Sequence, residues 1–249
     1  VELRGKKIIV TGGVRGLGRS MVDSLIAKEA VVAVFDLNAD GLGELAREQP
    51  GVHCVQCDVS NHADVVMATT LYHEEFGAAD VLINNAGILY SEPLIRISGS
   101  GVERHDPESW NKVLAADLSS VFYMTSCVVA KMITTRTRGV IANISSVAAS
   151  GNAGQSAYSA AKAGVNALTA VWAKELGPMG IRVVAVAPGF TETDSTKEAL
   201  SEGVLRETTK RVPLRRLGKP QEIAQGVVSV LENDFFNGKI FELDGGLIV

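Results

Sequence analysis

Two kinds of apolar pattern alternate along this 249-residue chain. Short runs are apolar at nearly every position, as strands buried on both faces are. Longer stretches repeat apolar residues every three or four positions, as amphipathic helices do. The short runs predict strands at 7–11, 31–35, 52–57, 81–84, 140–144, 181–186 and 239–243. The longer patterns predict helices from Gly18 through Met21, Leu25 and Ile26, and at 38–48, 62–76, 107–131, 158–176 and 220–231. Apolar strands separated by helices make a parallel sheet covered on both faces. Right-handed crossovers then give an α/β, three-layer, doubly wound arrangement of roughly seven strands. No repeat, low-complexity stretch or linker interrupts the pattern, so residues 1–249 are expected to form one domain.

Three segments stand outside this alternation. Residues 190–216 are polar and mixed, the composition of a mobile substrate loop or lid. Residues 98–106 mix Gly99 and Gly101 with charges and predict an exposed loop, either at the substrate mouth or on plain surface. In 232–238, Phe235 and Phe236 are expected to pack under a turn or to meet a neighbouring subunit.

At 46% apolar and 21% charged residues the composition is that of an ordinary globular chain. The net charge of −4, without a basic block, argues against nucleic acid or an anionic membrane as the main partner. No apolar run approaches the ~18 residues of a membrane span, and no signal-peptide pattern opens the chain, so a cytoplasmic location is expected. Cys54 and Cys57 have the spacing of a redox or zinc pair, but on a strand residues three apart face opposite ways. Cys127 completes no second pair, and His53, His62, His73 and His105 lack ligand spacing, so no metal is expected.

Candidate chemistry begins with Thr11-Gly12-Gly13-Val14-Arg15-Gly16-Leu17-Gly18, directly after a strand and opening a helix. Glycines there allow a tight turn and close approach of backbone to a pyrophosphate seated on the helix N-terminus. Asp36 ends the next strand, where its carboxylate can accept from both hydroxyls of an adenosine ribose and would repel a 2′-phosphate. Arg15 pulls the other way, because a guanidinium can pair with that phosphate. The Asp36 charge stands where the phosphate would go, so NAD is expected over NADP. Asp58 ends the third strand and can accept from an adenine amino group; Asn84-Asn85-Ala86-Gly87 ends the fourth and can let backbone pass close to the cofactor. Ligands of open parallel sheets bind outside these carboxyl ends.

The segment 145–162 supplies a different chemistry. It leaves a buried strand, crosses a loop of small residues and enters a helix on which Tyr158 and Lys162, four apart, share one face. Ser145 and Ser146 wait at the strand end. A phenol, an ammonium and a serine converging on one point suggest proton transfer to a polarised oxygen.

Taken together, Thr11-Gly-x-x-x-Gly16-x-Gly18, Asn84-Asn-Ala-Gly87, a serine near 146, Tyr158-x-x-x-Lys162 and Pro188-Gly189 resemble the short-chain dehydrogenase/reductase family over essentially the whole chain. Residues 187–194, 216–224 and 244–246 are most similar to its 3-oxoacyl-carrier-protein reductases and related secondary alcohol dehydrogenases. The resemblance implies a Rossmann-type fold, usually a homotetramer, and reversible hydride transfer between nicotinamide and a carbonyl or alcohol. It implies that Tyr158 exchanges the proton with substrate. Lys162 would lower the phenol's pKa and hold the nicotinamide ribose, while Ser146 would hydrogen-bond the substrate oxygen. Thr193 would meet the carboxamide, and Leu17, Val59, Pro188, Gly189 and Thr191 would join the cofactor-binding set. The same resemblance implies a four-helix bundle between subunits, built from the 110–131 and 158–176 helices.

The chain departs from the family at two points near the site. Asp117 stands where the family's catalytic asparagine falls, in a kinked helix whose main-chain carbonyl holds a proton-relaying water. An ionised Asp117 near Lys162 would change the pH profile. The serine is usually thirteen residues before the tyrosine, which fits Ser145; aligning the strand 143–147 favours Ser146 instead, with Ser145 as the alternative. Met179 replaces one basic residue expected beside a carrier-docking mouth, although Arg136 and Arg138 keep the region near the other basic. The expected activity is therefore an NAD-dependent dehydrogenase of a secondary alcohol or hydroxyacyl compound, a small-molecule substrate. The alternative is an NADPH-dependent 3-oxoacyl thioester reductase, and a more distant one is a non-catalytic subunit of an assembly.

Overall fold

Seven parallel strands form the centre of the computed structural model, which describes residues 2–99, 101–194, 196 and 202–247. They are β1 Lys7–Thr11, β2 Val31–Asp36, β3 His53–Gln56, β4 Val81–Asn84, β7 Gly139–Ile144, β8 Ile181–Pro188 and β9 Ile240–Leu243. A separate antiparallel pair, β5 Ile95–Ser98 and β6 Gly101–Arg104, lies between β4 and β7 in sequence. Across the main sheet the order is β3-β2-β1-β4-β7-β8-β9. The helices are α1 Gly16–Ala27, α2 Ala39–Glu48, α3 His62–Phe76, α4 Pro107–Leu114, α5 Ser120–Thr134, α6 Ser156–Leu176, α7 Glu202–Arg211 and α8 Pro220–Glu232. The sheet is of the Rossmann type and doubly wound, as the pattern predicts.

Alternation along each strand explains the three layers. Ile8, Val10, Val32 and Val34 point to one side, where Met21 and Leu25 of α1, Leu45 of α2 and Leu231 of α8 cover them. Ile9, Ala33, Phe35 and Leu82 point to the other, under Val65 of α3, Met124 and Val128 of α5 and Leu176 of α6. Cys54 packs into the first layer and Cys57 into the second, so the two thiols face opposite sides of the sheet. Asn38, Asn61 and Asp106 start α2, α3 and α4 by accepting from first-turn N–H groups. At the β1–β4 junction the strand order reverses, opening a crevice at the carboxyl ends.

The predicted helix 107–131 is interrupted. Between α4 and α5 residues Ala115–Ser119 form a π-helical turn, and the Ser120 N–H donates to Ala115 O five residues back. The Ser120 hydroxyl donates to Ala116 O at 2.5 Å, satisfying a second carbonyl in the widened turn. Periodicity misses such a turn because one extra residue only rotates the apolar stripe. The run Pro107–Thr134 also has the length and hydropathy of a membrane span, contrary to the sequence expectation. Its apolar positions are explained by the sheet, since Val121, Met124, Val128 and Met132 are buried against it.

The stretch 98–106 belongs to a hairpin rather than a loop. Ile97 pairs with Val102 and Arg96 with Glu103, so Ile95, Ile97 and Val102 share one face and an Arg96–Glu103 ion pair of 3.6 Å lies on the other. The two-residue alternation is present in the sequence but is obscured by glycines and charges; Ser100 lies outside the described residues. The 190–216 segment carries α7 besides its loop, with residues 195 and 197–201 outside the description. Phe236 packs against Phe241 while Phe235 is fully exposed. Ile248 and Val249 also lie outside the described residues.

Candidate active site

A cavity of about 640 Å³ occupies the crevice, and the residues assigned above to cofactor binding and proton transfer line it together. At its floor β1 turns into α1. Gly12 and Gly16 hold φ near +67° and +57°, open to glycine at little cost. A Cβ on Gly12 would come within 2.9 Å of Ala86 Cα, and one on Gly18 within 1.9 Å of Gly12 O. Arg15, the N-cap of α1, makes no side-chain cap bond, and the first turn holds no acid. The leading N–H groups of α1 are thus left for an anion. That bare, side-chain-free N-terminus fits the pyrophosphate of a dinucleotide.

The strand ends around this floor are tied together. Asn85 donates through Nδ2 to Thr11 O and Gly12 O, both at 2.9 Å, while Thr11 Oγ1 accepts from the N–H groups of Asn85 and Ala86 at 3.0 Å. Asn85 therefore shapes the glycine turn through its own side chain, leaving Ala86 and Gly87 backbone at the cavity wall. Asp36 Oδ2 accepts from Val14 N–H at 3.2 Å and Oδ1 from Asn38 N–H at 3.0 Å, fixing the carboxylate at the end of β2. Arg15 is exposed at the same rim. Asp58 is held by Ser60, whose N–H and hydroxyl both donate to its Oδ1, with Val59 beside it. On the far side Gly189 N–H donates to Leu243 O, and Thr191 Oγ1 donates to the carbonyl of Gly189 after Pro188. Thr193 shares a 2.9 Å hydroxyl contact with Thr196 and lies over Gly16, bringing the 190s segment down on the glycine turn.

The proton-transfer cluster sits where β7 meets α6. Lys162 is buried, donates from Nζ to Ile144 O at 3.0 Å, and stands 5.5 Å from the Tyr158 ring centroid. Ser146 lines the cavity with Tyr158, where its hydroxyl pulls the phenol's pKa down, and it caps the short turn Val147–Ser150 by accepting from Ala148 N–H at 3.1 Å. Ser145 is buried and donates to Lys162 O at 3.4 Å, holding α6 rather than facing the phenol. Burial pushes the phenol of Tyr158 above its ordinary value; Lys162 lowers it, Asp117 raises it, and the Ser146 hydroxyl lowers it. Asp117, in the π turn, is wholly buried, accepts from Ile88 N–H at 2.6 Å through Oδ1, and brings Oδ2 to 4.0 Å from Lys162 Nζ. Such a cluster can hold a proton at the Tyr158 hydroxyl and pass it to an oxygen bound beside Ser146.

Among the wall residues that sequence reasoning missed are Asn152, Gln155 and Arg211. Asn152 and Gln155 bond each other at 3.0 Å, and Gln155 reaches Ser91 at 3.1 Å, which braces the loop between Ser146 and Tyr158 against the base of the hairpin. Their place between the two catalytic motifs was the available signal. Arg211, at the end of α7, enters the cavity wall from the segment read as a loop, and no local pattern marks it.

A glycine-floored dinucleotide crevice with a Ser-Tyr-Lys cluster at its inner end defines a nicotinamide-dependent oxidoreductase. The chain belongs to the short chain dehydrogenase family, whose model matches residues 6–203. It is 36% identical to the 3-oxoacyl-[acyl-carrier-protein] reductase of Thermotoga maritima, over all of both chains. It is also 36% identical to 3-hydroxyacyl-CoA dehydrogenase type-2 of Bos taurus, over 99% of this chain and 96% of that one. The human protein of the same name is 35% identical over 99% and 96%.

Proposed function

We propose that this enzyme interconverts 3-oxoacyl and 3-hydroxyacyl thioesters, with NAD(H) as its nicotinamide partner. The observation that carries the reaction type is the Ser146–Tyr158–Lys162 cluster at the inner end of the dinucleotide crevice. Full-length similarity to relatives named for 3-oxoacyl and 3-hydroxyacyl substrates supports the thioester over a simple secondary alcohol. The nicotinamide supplies or accepts the hydride. Ser146 binds the substrate oxygen, Tyr158 gives or takes its proton, and Lys162 keeps a positive charge beside the phenol while reaching the nicotinamide ribose. Gly12, Gly16 and Gly18 seat the pyrophosphate; Asp36 binds the adenosine ribose and Asp58 the adenine. Thr193 holds the carboxamide.

Asp36 supports NAD because its carboxylate is anchored by two backbone N–H groups and cannot swing clear of a 2′-phosphate. Arg15, exposed on the same rim, supports a second reading in which NADPH is used. Initial rates of acetoacetyl-CoA reduction with NADH and with NADPH test both. A preference for NADPH overturns the NAD assignment, and absence of turnover with either overturns the thioester assignment. Exposed Phe122 and Ile133 on α5 and Val171 on α6 support assembly into a homo-oligomer, the homotetramer being the form proposed. Light scattering measures it, and a monomer at assay concentration refutes it.

A further inference from the structure

Asp117 is the only carboxylate among the buried polar residues described, and Lys162 is the only buried lysine among them. They belong to different elements, the π turn and α6, which pack directly on each other. The carboxylate is placed by its surroundings. Oδ1 takes the Ile88 N–H at 2.6 Å, which ties the carboxyl to the end of β4. A Cβ at Gly87 would lie 2.7 Å from the same oxygen, so only glycine there lets the acid reach the β4 end. Oδ2 is buried without a hydrogen-bond partner, 4.0 Å from Lys162 Nζ. A buried carboxylate is strongly disfavoured without a cation, so the ionised form of Asp117 requires the ammonium opposite it. The titratable groups that face it are Lys162 and Tyr158, both on α6; the β4 end contributes only backbone and β7 only the Ile144 carbonyl that Lys162 also binds.

We propose that Asp117 is the ionic partner of Lys162 and a positioning residue for the reaction, offsetting the ammonium so that Tyr158 stays a phenol at neutral pH. A phenol is the form that donates a proton to a substrate carbonyl, so the pair biases the site toward reduction of the 3-oxo compound. This inference rests on the Ser146–Tyr158–Lys162 reading of the site. The electrostatics are opposed at the pair: burial, the largest influence, pushes the Asp117 carboxyl up while Lys162 and the Ile88 N–H pull it down; burial also accounts for most of the rise of the Tyr158 phenol, and the Asp117 charge adds to it.

Asp117→Asn tests the proposal, because the amide keeps an oxygen for the Ile88 N–H and removes only the charge. Tyr158 ionisation is read by ultraviolet pH titration of the cofactor-free protein, subtracting the same titration of Tyr158→Phe in each background. The expected result is ionisation at a pH lower by about one unit in Asp117→Asn, a tenfold loss of proton affinity. The acidic limb of kcat/KM for 3-hydroxyacyl-CoA oxidation should move by the same amount. Coincident titrations overturn the proposal. If Asp117→Asn does not fold, carbon-13 NMR of the native enzyme labelled at aspartate carboxyls decides: a carboxylate signal for the buried acid at neutral pH supports the pair, and a protonated acid there overturns it. The phenol titration needs no substrate, so it stands apart from the turnover assay that tests the proposed function.

Discussion

Replacing Gly18 by alanine should separate the glycine turn's role in cofactor binding from its role in folding. The added Cβ would lie 1.9 Å from Gly12 O and 2.6 Å from Asn85 Nδ2. An ordinary C···O contact needs about 3.3 Å, so the turn or the start of α1 must retreat by about 1.4 Å. That shift pulls apart the 2.9 Å bond from Asn85 to Gly12 O. Overpacking of this kind costs about 1–3 kcal/mol and the lost hydrogen bond about 1 kcal/mol. If half of this falls on the bound state, nicotinamide affinity drops about 5- to 30-fold. Fluorescence titration with NADH gives the affinity and thermal unfolding gives the remainder. Gly43→Ala is the control: Gly43 lies within α2 with nothing within 4 Å of the new carbon, so stability should rise by up to about 1 kcal/mol with binding unchanged. A Gly18→Ala variant that binds NADH as tightly as the native enzyme and melts at the same temperature would refute this role for the turn.

Asp36→Asn should reduce the preference for NADH over NADPH by at least about tenfold, because it removes a fixed negative charge from the ribose rim; equal ratios of kcat/KM before and after would count against it. Cys57 is buried, with its thiol pushed up to about 12 mainly by desolvation, so thiol reagents at pH 8 should leave it unmodified until the protein unfolds; mass spectrometry of the labelled native protein checks it. Gln155→Ala removes the brace between Ser91 and the loop before Tyr158, and kcat should fall several-fold with nicotinamide affinity retained. Stopped-flow and binding titration together measure that split, and a change confined to nicotinamide affinity contradicts it.

Features governed by local spacing were legible in the sequence. Gly12, Gly16 and Gly18 sit at intervals that a tight turn requires, and Tyr158 and Lys162 at the interval of one helical turn, so the chain alone places both features. The five inner strands announce themselves because each is apolar on both faces, whereas the edge strands β3 and β9 carry polar residues. The π turn at Ala115–Ser119 was not legible in the periodicity, only in the resemblance that put Asp117 in a kinked helix; its Asp117–Ile88 contact spans twenty-nine residues of chain. Arg211 was hidden because its position depends on where a connecting segment folds back, and the hairpin because glycines and charges obscure its two-residue alternation. The choice between Ser145 and Ser146 fell in between. Spacing favoured one and strand alignment the other; in the fold Ser145 bonds the Lys162 carbonyl and Ser146 caps the turn after it.

In the proposed reaction Tyr158 carries the proton while the dinucleotide crevice works independently of it. Tyr158→Phe removes one oxygen and leaves the Lys162–Ile144 bond and the glycine turn in place. The decisive measurement is reduction of acetoacetyl-CoA by this variant alongside NADH titration of the same preparation. Turnover should fall by at least about a hundredfold, with NADH affinity within twofold of the native enzyme. Turnover within tenfold of native, at unchanged affinity, would contradict the assignment of Tyr158 as proton carrier.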